Sequence, residues 1–234
     1  MANRRGSSQR VEMSLDGAHG LRELLVTQFD ALSVTSPLKG VALEVCDEAS
    51  DVARRTRSVN SLLVRDGRIV GESTDGEGFV DAVIDEAGPV VENAHAVVLG
   101  AGGAASAIVD ALVQRGVASV VVLGRNEVKV DELVARYPNV VAASLVYRPV
   151  DLVINTVPVT GRRVESAVLQ GVHRDSVAVD ITYEPSSSPW RELYDDAGCR
   201  TMNGLAMLAF QAARQMSWWW GVTVGGAPLL EVLR

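Results

Sequence analysis

Histidine and cysteine are scarce in this sequence. Three histidines (His19, His95, His173) and two cysteines (Cys46, Cys199) are scattered over 234 residues. None of their spacings is that of a metal site, so no metal is expected. Two thiols so far apart read as free and buried in a reducing compartment, which makes the expected location cytoplasmic. Long apolar runs are lacking too. Nothing approaches the roughly 20 residues of a membrane span. The most apolar aromatic stretch, "MSWWWGV", is far too short. No membrane partner is expected. Positive charge is also in deficit. The 22 Lys and Arg stand against 29 Asp and Glu, a net charge of -7. Such a chain suits a polyanion poorly, so no nucleic-acid partner is expected. The opening "MANRRGSSQR" is locally basic but leads into no apolar core, and reads as a floppy leader rather than a signal peptide.

What is present is ordinary for a globular chain: 47% hydrophobic and 22% charged residues. The length allows one large unit or two small ones. From residue 96 the chain alternates. "AVVLG" (96–100), "ASVVVLG" (118–124), "DLVINTV" (151–157) and "SVAVDIT" (176–182) are short apolar runs rich in valine. "VVAAS" (140–144) is a further candidate strand. Between the first runs lie "AASAIVDALVQR" and "EVKVDELVARY", with apolar residues at helical spacing. Buried strands separated by helices predict a parallel sheet covered on both faces.

The first 80 residues are less regular. "FDALSV" and "SLLV" read as strands, "VALEVCDEASDVARR" (41–55) as one helix. "STDGEGFVDAVIDEAG" has a cap-like start and runs into a helix. "EPSSSP" (184–189) reads as a polar loop and "NGLAMLAFQAARQMSWWW" as a long amphipathic helix. The expected fold class is α/β. A Rossmann-type parallel-sheet domain (81–205) stands beside a smaller α/β domain (1–80), and C-terminal helices (206–234) pack back on the smaller one.

"VVLGAGGAASAI" gives the order strand, Gly100-x-Gly102-x-x-Ala105, helix. The first glycine permits the tight turn, the second lets a pyrophosphate approach, and the alanine allows close helix–strand packing. Gly100, Ala101, Gly102, Gly103 and Ala104 are therefore candidate cofactor residues, at a helix start whose N–H groups are free. The second strand ends in "LGRNEVK", with no acid directly at its end to hold a ribose 2′-hydroxyl. Arg125, with Asn126 beside it, suits a 2′-phosphate, and Lys129 adds a second charge one turn later. This favours NADP over NAD. Glu127 is the competing signal, a ribose acid displaced by a few residues or a carboxylate favoured at a helix start.

Taken in order, several motifs resemble those of the shikimate dehydrogenase family, from about Phe29 to the C-terminus. They are "SVTSPLK", "RSVNSLL", "STDGEGF", "GAGGAA", "GRNEVK", "DLVINTVP", "DITYEP" and "NGLAMLAFQAA". The resemblance implies NADP-dependent, reversible reduction of 3-dehydroshikimate to shikimate, in aromatic amino-acid biosynthesis. It implies that Lys39 and Asp75 are the catalytic pair. An ammonium beside the reacting oxygen stabilises developing charge and can donate the proton. Both an electrostatic and a general-base role for Lys39 stay open. The resemblance also implies that Thr35, Asn60, Asp75, Tyr183 and Gln211 hold the substrate, and that Ile181 and Gly204 flank the nicotinamide. Taken alone, each of these residues also has a purely structural reading, and Lys39 alone would be a solvated lysine.

The sequence departs from the family in places. No opening strand with a Ser-x-Ser-Pro loop, which in the family holds the substrate carboxylate, is found ahead of "FDALSV". The expectation is an N-terminally shortened first unit, short of a central strand and with weak substrate affinity. Ser33, Leu38 and Gly124 replace the family's usual residues beside Thr35, Lys39 and Arg125. Other readings share the two-unit plan: a non-catalytic or weakly active NADP-binding homologue, an NAD-linked quinate/shikimate dehydrogenase, a folate-type dehydrogenase, or the related domain of a tRNA-linked reductase. Monomer and homodimer both fit.

Overall fold

The computed structural model describes residues 7–13, 20–142, 149–158, 166–183 and 188–234. The first six residues of the "MANRRGSSQR" leader, the end of the 140–144 run and most of the 184–189 loop lie outside them. The chain opens with α1 (Leu21–Gln28), β1 (Ala31–Ser33), α2 (Lys39–Glu44), β2 (Glu48–Ala49) and α3 (Asp51–Thr56). It continues through β3 (Ser61–Arg65), β4 (Arg68–Glu72) and α4 (Asp75–Ala87). Then follow β5 (His95–Leu99), α5 (Gly103–Gln114), β6 (Ser119–Leu123), α6 (Glu127–Val134), β7 (Val140–Ala142) and β8 (Val150–Asn155). The last elements are α7 (Ser166–Gly171), β9 (Val172–Asp180), α8 (Pro189–Asp196), β10 (Arg200–Met202), α9 (Leu205–Trp220) and α10 (Gly226–Leu233).

Among the described residues the valine-rich runs form one six-stranded sheet in the order β10-β9-β8-β5-β6-β7, every pair parallel. This is the Rossmann-type sheet that the alternation predicts. Its strands are buried on both faces: Val98, Val120, Val122, Leu152 and Ile154 pack in one cluster, and Val97, Val153 and Ala178 in another. Sequence order runs outward from β5 to β7, then returns to β8 on the other side. The reversal makes β5/β8 the switch point, where α/β sheets bind ligands at their carboxyl ends.

A second sheet of four strands runs β1-β3-β4-β2. β3 and β4 are a hairpin turned at Asp66–Gly67, both at positive φ (53° and 74°), as an Asp-Gly turn requires. Among the described residues every strand of this sheet has a hydrogen-bonded neighbour, and β1 and β2 are its edges. The expected loss of a central ladder is therefore not an internal gap; β1 has a partner on one side only.

The single helix expected over 41–55 is corrected to α2, β2 and α3. Glu48 and Ala49 pair in parallel with Val70 and Gly71. Asp47 Oδ2 accepts from Ile69 N at 2.7 Å. Ser50, extended, then accepts from Ala53 N at 3.1 Å and starts a new helix. The run 176–182 is likewise shifted: β9 ends at Asp180, whose carboxylate accepts from Thr182 N and Asn155 Nδ2, both at 3.1 Å. Helix α4 joins the two sheets and packs against both α5 and α9.

Candidate active site at the sheet switch point

A cavity of about 1000 Å³ opens at the carboxyl ends of β5 and β8. Its floor is polar and tied together by hydrogen bonds. Lys39 opens α2 and Asp75 opens α4, and Lys39 Nζ donates to Asp75 Oδ2 at 2.5 Å. Their side chains are 15% and 7% exposed, so the contact is only lightly solvated. Asn60, 2% exposed, is the hub. Its Nδ2 donates to Asp75 Oδ1 and Thr74 Oγ1, both at 2.9 Å, and to Gln211 Oε1 at 3.2 Å. Its Oδ1 accepts from Thr74 N and Ser61 Oγ, both at 2.9 Å. A buried amide with every polar atom engaged has one orientation, and so fixes its neighbours. Gln211 arrives on α9, where Thr74 Oγ1 donates to its carbonyl at 3.1 Å.

The opposite wall is the glycine turn. Gly100, at φ 114°, crosses over β8 so closely that a Cβ there would lie 2.3 Å from Thr156 Oγ1. Only glycine fits that turn. At Gly102 the surroundings are open, with nothing within 4 Å of where a Cβ would stand. Gly103, Ala104 and Ala105 line the cavity, and the first bond of α5 is Ser106 N to Gly102 O at 2.9 Å. The N–H groups before it have no intrahelical partner. Open space and free donors at one helix start fit a diphosphate.

Most sequence-predicted residues meet around this one cavity. Thr35, Lys39, Asn60, Asp75, Tyr183 and Gln211 line it, with Ala101, Gly102, Gly103, Ala104, Lys129, Ile181 and Gly204. Tyr183 is 45% exposed at the mouth. Gly100, Arg125 and Asn126 are not in its lining. Gly100 shapes the turn beneath it. Asn126 spends its side chain as the cap of α6, accepting from Lys129 N at 3.1 Å. Arg125 is exposed on the connection between β6 and α6. Glu127 stands in the first turn of α6, where the helix dipole favours a carboxylate, and does not line the cavity.

Sequence reasoning missed a further stretch of wall. Thr56 and Arg57 at the end of α3 line it, as do Glu132, Leu133 and Arg136 at the end of α6. These elements are joined to α5. Arg55 holds the buried Asp110 with two bonds, at 2.8 and 3.0 Å, and Tyr137 Oη donates to the same carboxylate at 2.9 Å. Burial, and then the Asp110 carboxylate, push the Tyr137 phenol well above its ordinary value. No spacing rule brings residues 55, 110 and 137 together; only the topology does.

The chain's likeness to known proteins runs along the same elements. Residues 83–183, which span the glycine turn and strands β5 to β9 of the sheet around it, match the family model of shikimate/quinate 5-dehydrogenases. A Methylocella silvestris protein named shikimate dehydrogenase (NADP(+)) is 35% identical over 93% of this chain and 81% of its own length. One from Roseobacter denitrificans with the same name is 32% identical over 88% of this chain and 78% of its own. The crystal structure of shikimate 5-dehydrogenase from Thermus thermophilus, in complex with NADP(H) and shikimate, superposes with a TM-score of 0.81. It is 28% identical, with 94% of this chain and 84% of that one covered. The likeness thus takes in both sheets and both walls of the cavity, and the chain belongs to the shikimate dehydrogenase family.

Proposed function

We propose that this chain is an NADP-dependent shikimate dehydrogenase, interconverting 3-dehydroshikimate and shikimate in aromatic amino-acid biosynthesis. The observation that carries the reading is the contact of Lys39 with Asp75 in the same cavity as the open glycine turn. The relatives' names, and the NADP(H) and shikimate bound in the Thermus protein, support it.

NADP, when bound, supplies or accepts the hydride. The chain's own groups do the rest. Lys39 Nζ offers N–H donors to the oxygen of the reacting carbon, stabilising charge there and delivering or receiving its proton. Asp75 and Asn60 hold the lysine's position. Thr35, Asn60, Gln211 and Tyr183 present donors and acceptors to ring hydroxyls, and a site of paired polar groups rejects analogues that leave them unpaired. The start of α5 takes the diphosphate. Arg125 and Lys129 take the 2′-phosphate, which selects NADP over NAD.

The same reading divides the chain into a substrate-binding unit (1–80), a cofactor unit (81–205) and C-terminal helices returning to the first. Contacts of Gln215 Nε2 with Asn60 O at 2.9 Å, and of Trp219 Nε1 with Leu62 O at 3.1 Å, support that return. The two cysteines without a disulfide support a cytoplasmic location. Among the described residues no helix is long and apolar enough to cross a membrane. The test is shikimate oxidation by the purified chain, followed by NADPH absorbance, with Lys39→Ala and NAD alongside. Turnover with NADP that Lys39→Ala abolishes is the expected result. NADP binding without any turnover would overturn the assignment.

A further inference from the structure

The cavity continues past the glycine turn into a second, charged end. Arg57 lies on one side of it, Lys129, Glu132 and Arg136 on the other. Lys129 and Glu132 stand three apart on one face of α6, and Arg136 follows in the turn just past the helix end. Three cations and one acid thus line this end of the cavity.

These cations are not equally committed. Arg136 Nη1 already donates to Ser106 Oγ at 2.8 Å and to the carbonyls of Arg55 and Thr56 at 3.3 and 3.4 Å. It closes the end of α3 against α5 and α6. Arg57 is different. Its side chain is 67% exposed, and among the described residues the carboxylate near it, Glu132 Oε2, stands at 4.0 Å, with no hydrogen bond between them. Its backbone is left-handed, at φ 52° and ψ 38°. A helix C-terminus usually places glycine or asparagine in that conformation, because a Cβ is strained there.

The chain around Arg57 is nevertheless pinned. Ser106 Oγ donates to Thr56 O at 2.7 Å on one side. On the other, Ser58 is fully buried and its Oγ would lie 3.1 Å from a Cβ on Gly103. Both neighbours rest on α5, so Arg57 is held at the cofactor helix although it belongs to the small-sheet half of the chain. Among the described residues this exposed arginine, with a left-handed backbone and a fixed base, has no acidic partner closer than Glu132 at 4.0 Å, which leaves its guanidinium available to a ligand.

We propose that Arg57 is the third cation of the 2′-phosphate site. It reaches from the small-sheet half to the phosphate that Lys129 and Arg125 approach from the other half. A phosphate monoester carries nearly two charges and three acceptor oxygens, which suits a guanidinium better than Glu132 at 4.0 Å does. Binding of the 2′-phosphate would then tie the two halves together, and NAD would lack that tie. This inference rests on the NADP reading above.

The test needs no turnover. Adenosine 2′,5′-bisphosphate and 5′-AMP, which differ by the 2′-phosphate alone, are titrated calorimetrically into the full chain and into Arg57→Gln, Arg57→Gly and Lys129→Gln. Glycine relieves the left-handed backbone, so that variant does not fail for reasons of strain. Both Arg57 variants are expected to weaken the bisphosphate about tenfold, the scale of one charge-assisted bond, and to leave 5′-AMP unchanged. The difference shrinks at high salt. If Lys129→Gln loses selectivity while the Arg57 variants keep it, the role of Arg57 is overturned and the NADP reading stands. If the unaltered chain binds both ligands equally, the NADP reading falls and this proposal with it.

Discussion

Lys39 Nζ and Asp75 Oδ2 meet at 2.5 Å although 36 residues separate them. Each is the first residue of its helix, α2 and α4. Asp75 thus sits where the dipole of α4 favours a carboxylate. Replacing Lys39 by methionine keeps much of the stem and removes the donor. Turnover of shikimate with NADP is expected to fall by at least about 100-fold, the lower range for a positioned acid or base. NADP affinity should be retained. Asp75→Asn keeps an acceptor for Asn60 and loses the charge, so it should show a smaller fall. Rates from NADPH absorbance, beside cofactor titrations, separate the two effects. Equal losses in cofactor affinity and turnover would contradict the assignment.

Asn60 engages Thr74, Asp75, Ser61 and Gln211 through one buried amide. Asn60→Ala strands several of those groups at once. A cost of about 2–3 kcal/mol is expected, from the desolvation penalty of buried groups left without partners. KM for shikimate should rise as well, since Gln211 loses its anchor. Urea denaturation reads the first effect and initial rates the second. An unchanged midpoint would show that the network adds little to stability.

The parts of this molecule that sequence conveys are the local ones. Valine-rich runs after and before helices announce the parallel sheet, and Gly100-x-Gly102 announces its ligand-binding turn. The hairpin at Asp66–Gly67 was also within reach, since "SLLVRDGRIVGE" carries an Asp-Gly pair between apolar runs. The break in 41–55 was signalled more weakly, by Ser50 ahead of "DVARR", a cap that apolar spacing alone overrides. What sequence does not convey is the meeting of distant segments. Asn60 reaches Gln211 across 151 positions, and Arg55 reaches Asp110 across 55. For the first, family resemblance replaced geometry. For the second nothing did, so the α3–α6 wall and Arg57 came only from the structure.

Asp47 ties the start of the small sheet to α1. It accepts from Ile69 N at 2.7 Å and from Arg22 Nη2 at 2.8 and 3.0 Å. The backbone bond from Ile69 first, then Arg22, hold its carboxyl below the ordinary 3.8. A carboxyl lowered in the folded state adds stability above its unfolded value, and that stability is lost as pH falls through the folded value. Urea midpoints measured from neutrality down to about pH 2 should therefore fall more steeply for the native chain than for Asp47→Asn below about pH 4. Parallel curves would mean that Asp47 contributes nothing to the acid limb.

Two glycines make opposite predictions for the same substitution. Gly78 of α4 lies against α9, and a Cβ there would stand 2.5 Å from Gln211 Cα and 2.6 Å from its N and Cβ. Backbone cannot give way as a side-chain tip does, so Gly78→Ala forces the two helices apart. A loss of about 1–3 kcal/mol is expected, typical of overpacking. The same movement draws Gln211 away from Asn60, so KM for shikimate should rise with it. Gly40, in α2, has nothing within 4 Å of its Cβ position. Gly40→Ala meets no obstacle and restricts the unfolded chain, so stability should rise by up to about 1 kcal/mol. Urea denaturation of both variants decides the matter. Shifts of opposite sign confirm that α4 and α9 touch at backbone distance beside the site; a tolerated alanine at 78 would mean that Gln211 is held there by its hydrogen bonds alone.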